Sequence, residues 1–488
     1  MKKYAVVLTL ALILAANALT ADVRLPQIFA DGMVLQRHQP ISVWGWADPN
    51  EQVKVQLNHQ SRETTADANG KWKLTLPPEE AGGPFQLVVS GKNTLTLSDV
   101  LIGEVWICSG QSNMQWTVAN SDNAEKEIAD ANYPQIRQVE IPRKTSGIPL
   151  DDIGEPLEWK TATTKNVGNF TAVGYFYARK LHGELNVPIG LINTSWGGTM
   201  VETWISKEAM EKDKSLKKAI HVFEQTPADT VNKNGNPNRY PTLLFNAMIN
   251  PLIPYTVKGA IWYQGESNAG RAYEYRKSFP MMITDWRKRW GLGDFPFYFV
   301  QLASFKASGG TSASGSTWAE LREAQHKTLS LPHTGQAVTI DIGDTDDIHP
   351  RNKQDVGKRL AAIALYDSYG QDVVYSGPVY KKLAIKGAQA TIQFDHVHNG
   401  LTTKGSETVI GFEIAGADQQ FYPAEARIEG RTVVVSSPSV SKPKAVRYAW
   451  ADDPGRSNLF NSNGFPAAPF RTDKWAPVTK DVVYELKN

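Results

Sequence analysis

What the chain lacks narrows it first. It holds one cysteine, Cys108, in 488 residues, so no internal disulfide can form and the fold must rest on packed cores. Beyond its first residues no apolar run is long enough to cross a bilayer. An excess of one charge is missing too. There are 52 Lys and Arg against 50 Asp and Glu, with no basic run, which argues against nucleic acid or an anionic membrane as the main partner. The acids Asp341, Asp344, Asp346 and Asp347 lack the spacing of a calcium loop, and His396 and His398 have no companion cluster. Neither a metal nor a cofactor is therefore expected. Internal repeats are absent. What is present is a globular balance, 41% hydrophobic and 21% charged.

Residues 1–21 read MKKYAVVLTLALILAANALTA. Two lysines, an apolar stretch and small residues before Ala18 or Ala21 predict a cleaved signal peptide, hence a secreted or periplasmic protein with no membrane insertion after cleavage. The remaining length suits two or three domains. From 22 to 100, Val53, Val55 and Leu57, then Trp72, Leu74 and Leu76, alternate with polar residues around Asn69-Gly70. That is the period of half-buried strands joined by a hairpin, and it predicts a small β-sandwich.

From 101 to 374 short apolar runs alternate with helix-length segments. The runs are Val105–Cys108, Ile189–Asn193, Ala260–Tyr263, Phe297–Leu302 and Ala337–Ile342; the segments include 172–185, 273–290, 317–329 and 353–369. This rhythm predicts an α/β fold with a doubly wound, mostly parallel sheet. Residues 304–316, small and Gly-rich, read as a mobile loop near the site mouth. From 375 to 488 a second β-rich region follows. Cys108, in an apolar strand, reads as a buried small hydrophobe.

In parallel sheets ligands bind beyond the carboxyl ends of strands. There the sequence places Ser109-Gly110-Gln111-Ser112-Asn113-Met114, then Ser195-Trp196-Gly197-Gly198-Thr199, then Gln264-Gly265-Glu266-Ser267-Asn268, and finally Asp341 through His349-Pro350. Acyl transfer needs a nucleophile, a base and donors aimed at an oxyanion. Ser112 can be the nucleophile and His349 the base, with a nearby carboxylate to hold the imidazole tautomer. The Ser112 N–H, a glycine N–H of the second loop and the amide of Gln264 or Asn268 can face the oxyanion. Met114 stands where an α/β-hydrolase elbow would need its second glycine.

GEVWICSGQSNM (103–114), SWGGT (195–199), IWYQGESN (261–268) and DIGDTDDIHP (341–350) closely resemble the sialate O-acetylesterase-like members of the SGNH-hydrolase superfamily. The likeness extends to LPQIFADGMVLQRHQPISVWGWA near the front and VRYAWADDPGRSNLFNSNGFPAAPFRTD near the end. It implies a flavodoxin-like sheet flanked by N- and C-terminal β-rich regions, and a serine esterase acting on acetylated carbohydrate. It matches Ser112 to the nucleophile, Gly198 or else Gly197 to the oxyanion glycine, and His349 with Asp346 to a D-x-x-H pair. The third block departs from the superfamily's Gly-x-Asn, so Gln264 leads Asn268 as donor, and Glu266 competes with Asp346 as third triad member. Gln111, Trp196 and Trp204 are candidate sugar contacts, and Trp116 also lies near the site loops. Both O-acetyl sialic acid and acetylated plant polysaccharide such as xylan or xyloglucan fit. A glycosidase would pair Glu266 with Asp346 and leave GQSNM unexplained; a non-catalytic carbohydrate-binding protein would need none of the four blocks.

Overall fold

The computed structural model describes residues 22–225 and 237–485. The expected signal peptide, 1–21, lies outside them. Among the described residues no helix is long and apolar enough to cross a membrane.

The protein is a mixed α/β structure with a largely parallel central sheet and additional β-rich regions. Its central strands run in the order Thr334–Ala337, Phe297–Val300, Gly259–Tyr263, Thr94–Gly110, Ile189–Asn193, Asn132–Glu140 and Lys160–Thr163. All neighbours are parallel except the last pair. After Thr94–Gly110 the chain builds one half of the sheet, then returns to build the other half from the opposite side. The order therefore reverses at the carboxyl end of Thr94–Gly110, and such a reversal opens a crevice between the flanking loops.

Side-chain alternation feeds two cores. Ala260 and Trp262 enter one buried cluster with the helices Ala272–Trp290 and Thr317–Lys327. Ile261 and Tyr263 enter the other with Ala172–Leu185 and Lys353–Asp367. A strand buried on both faces must be apolar throughout, which is why these runs show no period-two polarity. Cys108 is fully buried in the second core, where burial pushes its thiol up, far from reactive.

Residues 22–100 form strands as the alternation predicts: Gln52–Leu57 and Lys71–Leu76 each bury every second residue. A single 17-residue strand, Thr94–Gly110, runs through the boundary expected near residue 100. Its first half pairs antiparallel with Gly82–Ser90, its second half parallel with Ile189–Asn193 and Gly259–Tyr263.

The fifth apolar run behaves differently from its prediction. The strand is Thr334–Ala337, and the chain leaves the sheet where the run 337–342 begins. Val338 and Ile340 turn instead into the core of the C-terminal β region, and the Val338 carbonyl accepts from Arg359. The segment 304–316 is fastened rather than loose. The buried Asp452 carboxylate accepts from Ser308 N (3.1 Å), Ser308 Oγ (3.0 Å), Gly310 N (2.8 Å) and Ser316 Oγ (2.6 Å). The Arg322 guanidinium clamps the same region, donating to the carbonyls of Leu302, Ala303, Ala451 and Asp452.

Candidate active site

The strand Thr94–Gly110 ends in a turn that only glycine allows. Gly110 has φ +131°, and a Cβ there would lie 2.2 Å from the Tyr263 carbonyl oxygen. Gln111 N donates to that same oxygen (2.9 Å), and Trp196 N donates to the Gly110 carbonyl (3.0 Å). The first, second and third loops are thereby laced together at the crevice. Ser112 opens the one-turn helix Ser112–Gln115, and its own N–H has no partner among the described residues.

His349 reaches across from the last loop. Its Nε2 lies 2.8 Å from Ser112 Oγ. Trp116, the residue after the one-turn helix, lies flat against the imidazole. Burial holds the His349 pKa below the ordinary histidine value; Asp347 opposes this and the Lys353 charge adds to it. The ring is therefore neutral at neutral pH and able to accept a proton.

The carboxylate on the far side of the ring is neither of the two expected. Asp347 Oδ1 lies 3.6 Å from His349 Nδ1, an ion-pair distance, and accepts the His349 backbone N–H at 2.8 Å. That local turn aims residue 347, not 346, at the imidazole. Asp346 points away and pairs with Lys306, with three quarters of its side chain exposed. Glu266 lies beside the Ser112 loop, where Oε1 accepts from Asn113 Nδ2 at 2.7 Å. It makes no hydrogen bond to His349.

The amides named as oxyanion donors are committed elsewhere. Gln264 Nε2 donates to Asn268 Oδ1 (2.7 Å) and the Thr199 carbonyl (3.0 Å), and Tyr275 OH donates to its Oε1. Asn268 Nδ2 donates to Glu202, and its Oδ1 also accepts from Val201 N. Both residues are buried beneath the site, where unpaired amides would be costly, and so they lock the second loop to the third. Gly197 does approach Ser112, since a Cβ on it would sit 3.3 Å from Ser112 Cβ, whereas a Cβ on Gly198 would face Asn238 Nδ2 at 3.7 Å. The Gly197 N–H is taken by Gln115 Oε1 (2.8 Å). The Gly198 N–H has no partner among the described residues, and its φ of +72° favours glycine.

Of the expected sugar contacts, Trp204 is fully buried, edge-on to Trp262, with Nε1 on Thr199 Oγ1. No sugar can reach it. Gln111 is nearly as buried, its Oε1 accepting from Gly265 N and Ser267 N, which makes it a brace for the third loop. Trp196 is half-buried beside Gly197. Sequence reasoning missed the partners Asp347, Asn113 and Lys353. Asp347 was visible only as one of four acids, and Asn113 as the residue after the serine. The acids carry separate partners: Asp341 grips Arg359 in a bidentate pair (2.6 and 2.7 Å), and Asp344 caps the N–H groups of Asp346 and Asp347.

Comparison with known proteins bears on this geometry. Residues 102–366 match the family described as carbohydrate esterase, sialic acid-specific acetylesterase. The chain is 32% identical to the sialate O-acetylesterase of Mus musculus, over 90% of this chain and 92% of that protein. It is also 32% identical to that of Homo sapiens, over 90% of each. A crystal structure of a carbohydrate acetylesterase from Xanthomonas citri superposes with a TM-score of 0.86 at 46% identity, covering 93% of this chain and all of that one. With a family match across the whole crevice and full-length relatives of one kind, the chain belongs to the sialic acid-specific acetylesterase family of carbohydrate esterases and is a carboxylic ester hydrolase.

Proposed function

We propose that the protein is a serine esterase of the SGNH-hydrolase type that removes O-acetyl groups from carbohydrate through an acetyl-enzyme on Ser112. The observation that carries this is the 2.8 Å approach of His349 Nε2 to Ser112 Oγ at the reversal point of the sheet. His349 takes the Ser112 proton as Oγ attacks the acetyl carbonyl, and the N–H groups of Ser112 and Gly198, without partners among the described residues, serve as donors to the negative charge that develops on the carbonyl oxygen. The imidazolium, with Asp347 opposite its Nδ1, then returns the proton to the departing sugar oxygen. Water repeats the cycle on the acetyl-enzyme, releasing acetate and restoring Ser112.

The substrate class is an O-acetylated sugar. Curated relatives named sialate O-acetylesterase favour O-acetyl sialic acid, while the carbohydrate acetylesterase from Xanthomonas citri supports a broader reading that includes plant polysaccharide. The two lysines and the apolar stretch of residues 1–21 support a secreted or periplasmic enzyme. Ser112→Ala should reduce hydrolysis of nitrophenyl acetate by roughly three orders of magnitude or more, with loss of labelling by a serine-directed organophosphate. A folded variant that keeps most of its activity would remove Ser112 from the mechanism. Acetate release from O-acetyl sialic acid, acetylated xylan and acetylated xyloglucan then ranks the substrates.

A further inference from the structure

Beneath Ser112 lies a titratable group that the acyl-transfer steps do not use. Lys353 begins the helix Lys353–Asp367 and is fully buried. Both facts are unfavourable for a cation: the start of a helix carries partial positive charge, and a buried ammonium loses its hydration. Its surroundings compensate. Nζ donates to Asn113 Oδ1 at 2.6 Å and lies over the rings of Tyr263 (5.3 Å) and Trp116 (5.8 Å). Burial pulls the Lys353 pKa down to about 7, against the opposing pull of Glu266, Asp347 and Asp122, so the ammonium is present across the acid limb set by His349.

The Asn113 amide has two further bonds. Its Nδ2 donates to Glu266 Oε1 (2.7 Å) and to the Ile348 carbonyl (3.0 Å). Rotating the amide by half a turn would set its NH2 against the Lys353 ammonium and its oxygen against the Ile348 carbonyl. The lysine therefore permits one orientation only. Asn113 follows Ser112 and Ile348 precedes His349, so this single amide joins the backbones next to both reacting groups. We infer that Lys353 is a positioning residue for the Ser112–His349 pair: it fixes the Asn113 amide, which ties the segment of the nucleophile to the segment of the base.

The inference rests on the serine-esterase reading. Lys353→Met should lower kcat on an acetyl ester by about tenfold to a hundredfold while changing KM less than about twofold, as small losses of alignment do. Organophosphate labelling of Ser112 should slow in parallel. The acid limb of kcat/KM should also move to higher pH, because a positive neighbour that opposes protonation of His349 has gone. A merely structural lysine would not move that limb. Since Lys353→Met leaves Glu266 without its buried counter-charge, the double variant Lys353→Met/Glu266→Gln is read in the same way. Unchanged kcat and acid limb in a folded variant, equal loss in kcat and KM without a limb shift, or failure of both variants to fold each overturns the inference. If Ser112→Ala retains activity, it is the serine mechanism that has failed instead.

Discussion

Trp116 lies flat on His349, with ring centroids 5.1 Å apart and planes inclined by 14°. The indole closes one face of the imidazole, while in the ring plane Nε2 meets Ser112 Oγ. Stacked aromatic pairs contribute about 0.5–1.5 kcal/mol beyond area burial. Trp116→Ala should therefore lower kcat by about three- to tenfold, and Trp116→Phe should recover most of it. A rise in KM with unchanged kcat would show that the indole serves the sugar instead.

The position of Asp347 gives an order of damage. Asp347→Asn should reduce kcat by about ten- to a hundredfold, below the ~10⁴ of a fully buried orienting aspartate, because half of its side chain is exposed. Asp346→Asn breaks only an exposed pair with Lys306 and should stay within about twofold of the parent. Steady-state kinetics of the two side by side decides it; the reverse order would return the role to Asp346.

The pH profile follows from the direction of the His349 shift. Burial disfavours the imidazolium, so the acid limb of kcat/KM should fall below the ordinary histidine value of about 6.5. Activity is then full at neutral pH and declines only as the solution becomes more acid than that value. A limb centred above it would contradict the environment described.

Stability should depend strongly on Glu202. This fully buried carboxylate pairs with Arg271 (2.8 Å) and carries the Asn268 amide, which in turn holds Gln264. Burial alone would raise its pKa, but Arg271 and the hydrogen bonds outweigh it and leave the carboxyl below its usual range. The sign follows: a depressed carboxyl contributes stability above its unfolded pKa and loses it as pH falls through the folded one. Glu202→Gln should cost about 3 kcal/mol at pH 7, since among the described residues Arg271 keeps Glu274 alone as a carboxylate partner. Denaturant unfolding of parent and variant at pH 7 measures it, and the difference should shrink in acid. A loss below about 1 kcal/mol would mean the pair is readily replaced.

Much of this arrangement was legible in the chain because local chemistry and tertiary structure agree. The helix Ala172–Leu185 begins at Thr171, whose hydroxyl caps Gly174 N, and ends at Asn186 in the left-handed conformation, so both signals sit in the sequence. The runs around 189–193 and 259–263 are strands because nothing but a sheet buried on both faces suits them. The run 337–342 deceived because apolar residues record burial and not its destination: Val338 and Ile340 are buried in the C-terminal core. The same limit applies to the site. A serine on a strand-end glycine turn announces itself, as does a distant histidine. Whether Asp346 or Asp347 faces that histidine depends on one turn, and a residue's distance along the chain from His349 does not report it. Gln264 and Asn268 looked like donors since amides suit oxyanions, yet two amides buried together satisfy each other first.

The long strand Thr94–Gly110 has a consequence for anyone who would exchange parts between relatives. It carries the chain from the outer sheet to the turn that presents Ser112, and it bends once on the way, at Asp99, whose φ is +57° and beside which the register with Gly82–Ser90 shifts. A chimaera cut near residue 100 would splice in mid-strand and put two registers at risk together. The turn at Gly91–Asn93, ahead of the strand, is the place where a graft would leave the mounting of Ser112 intact.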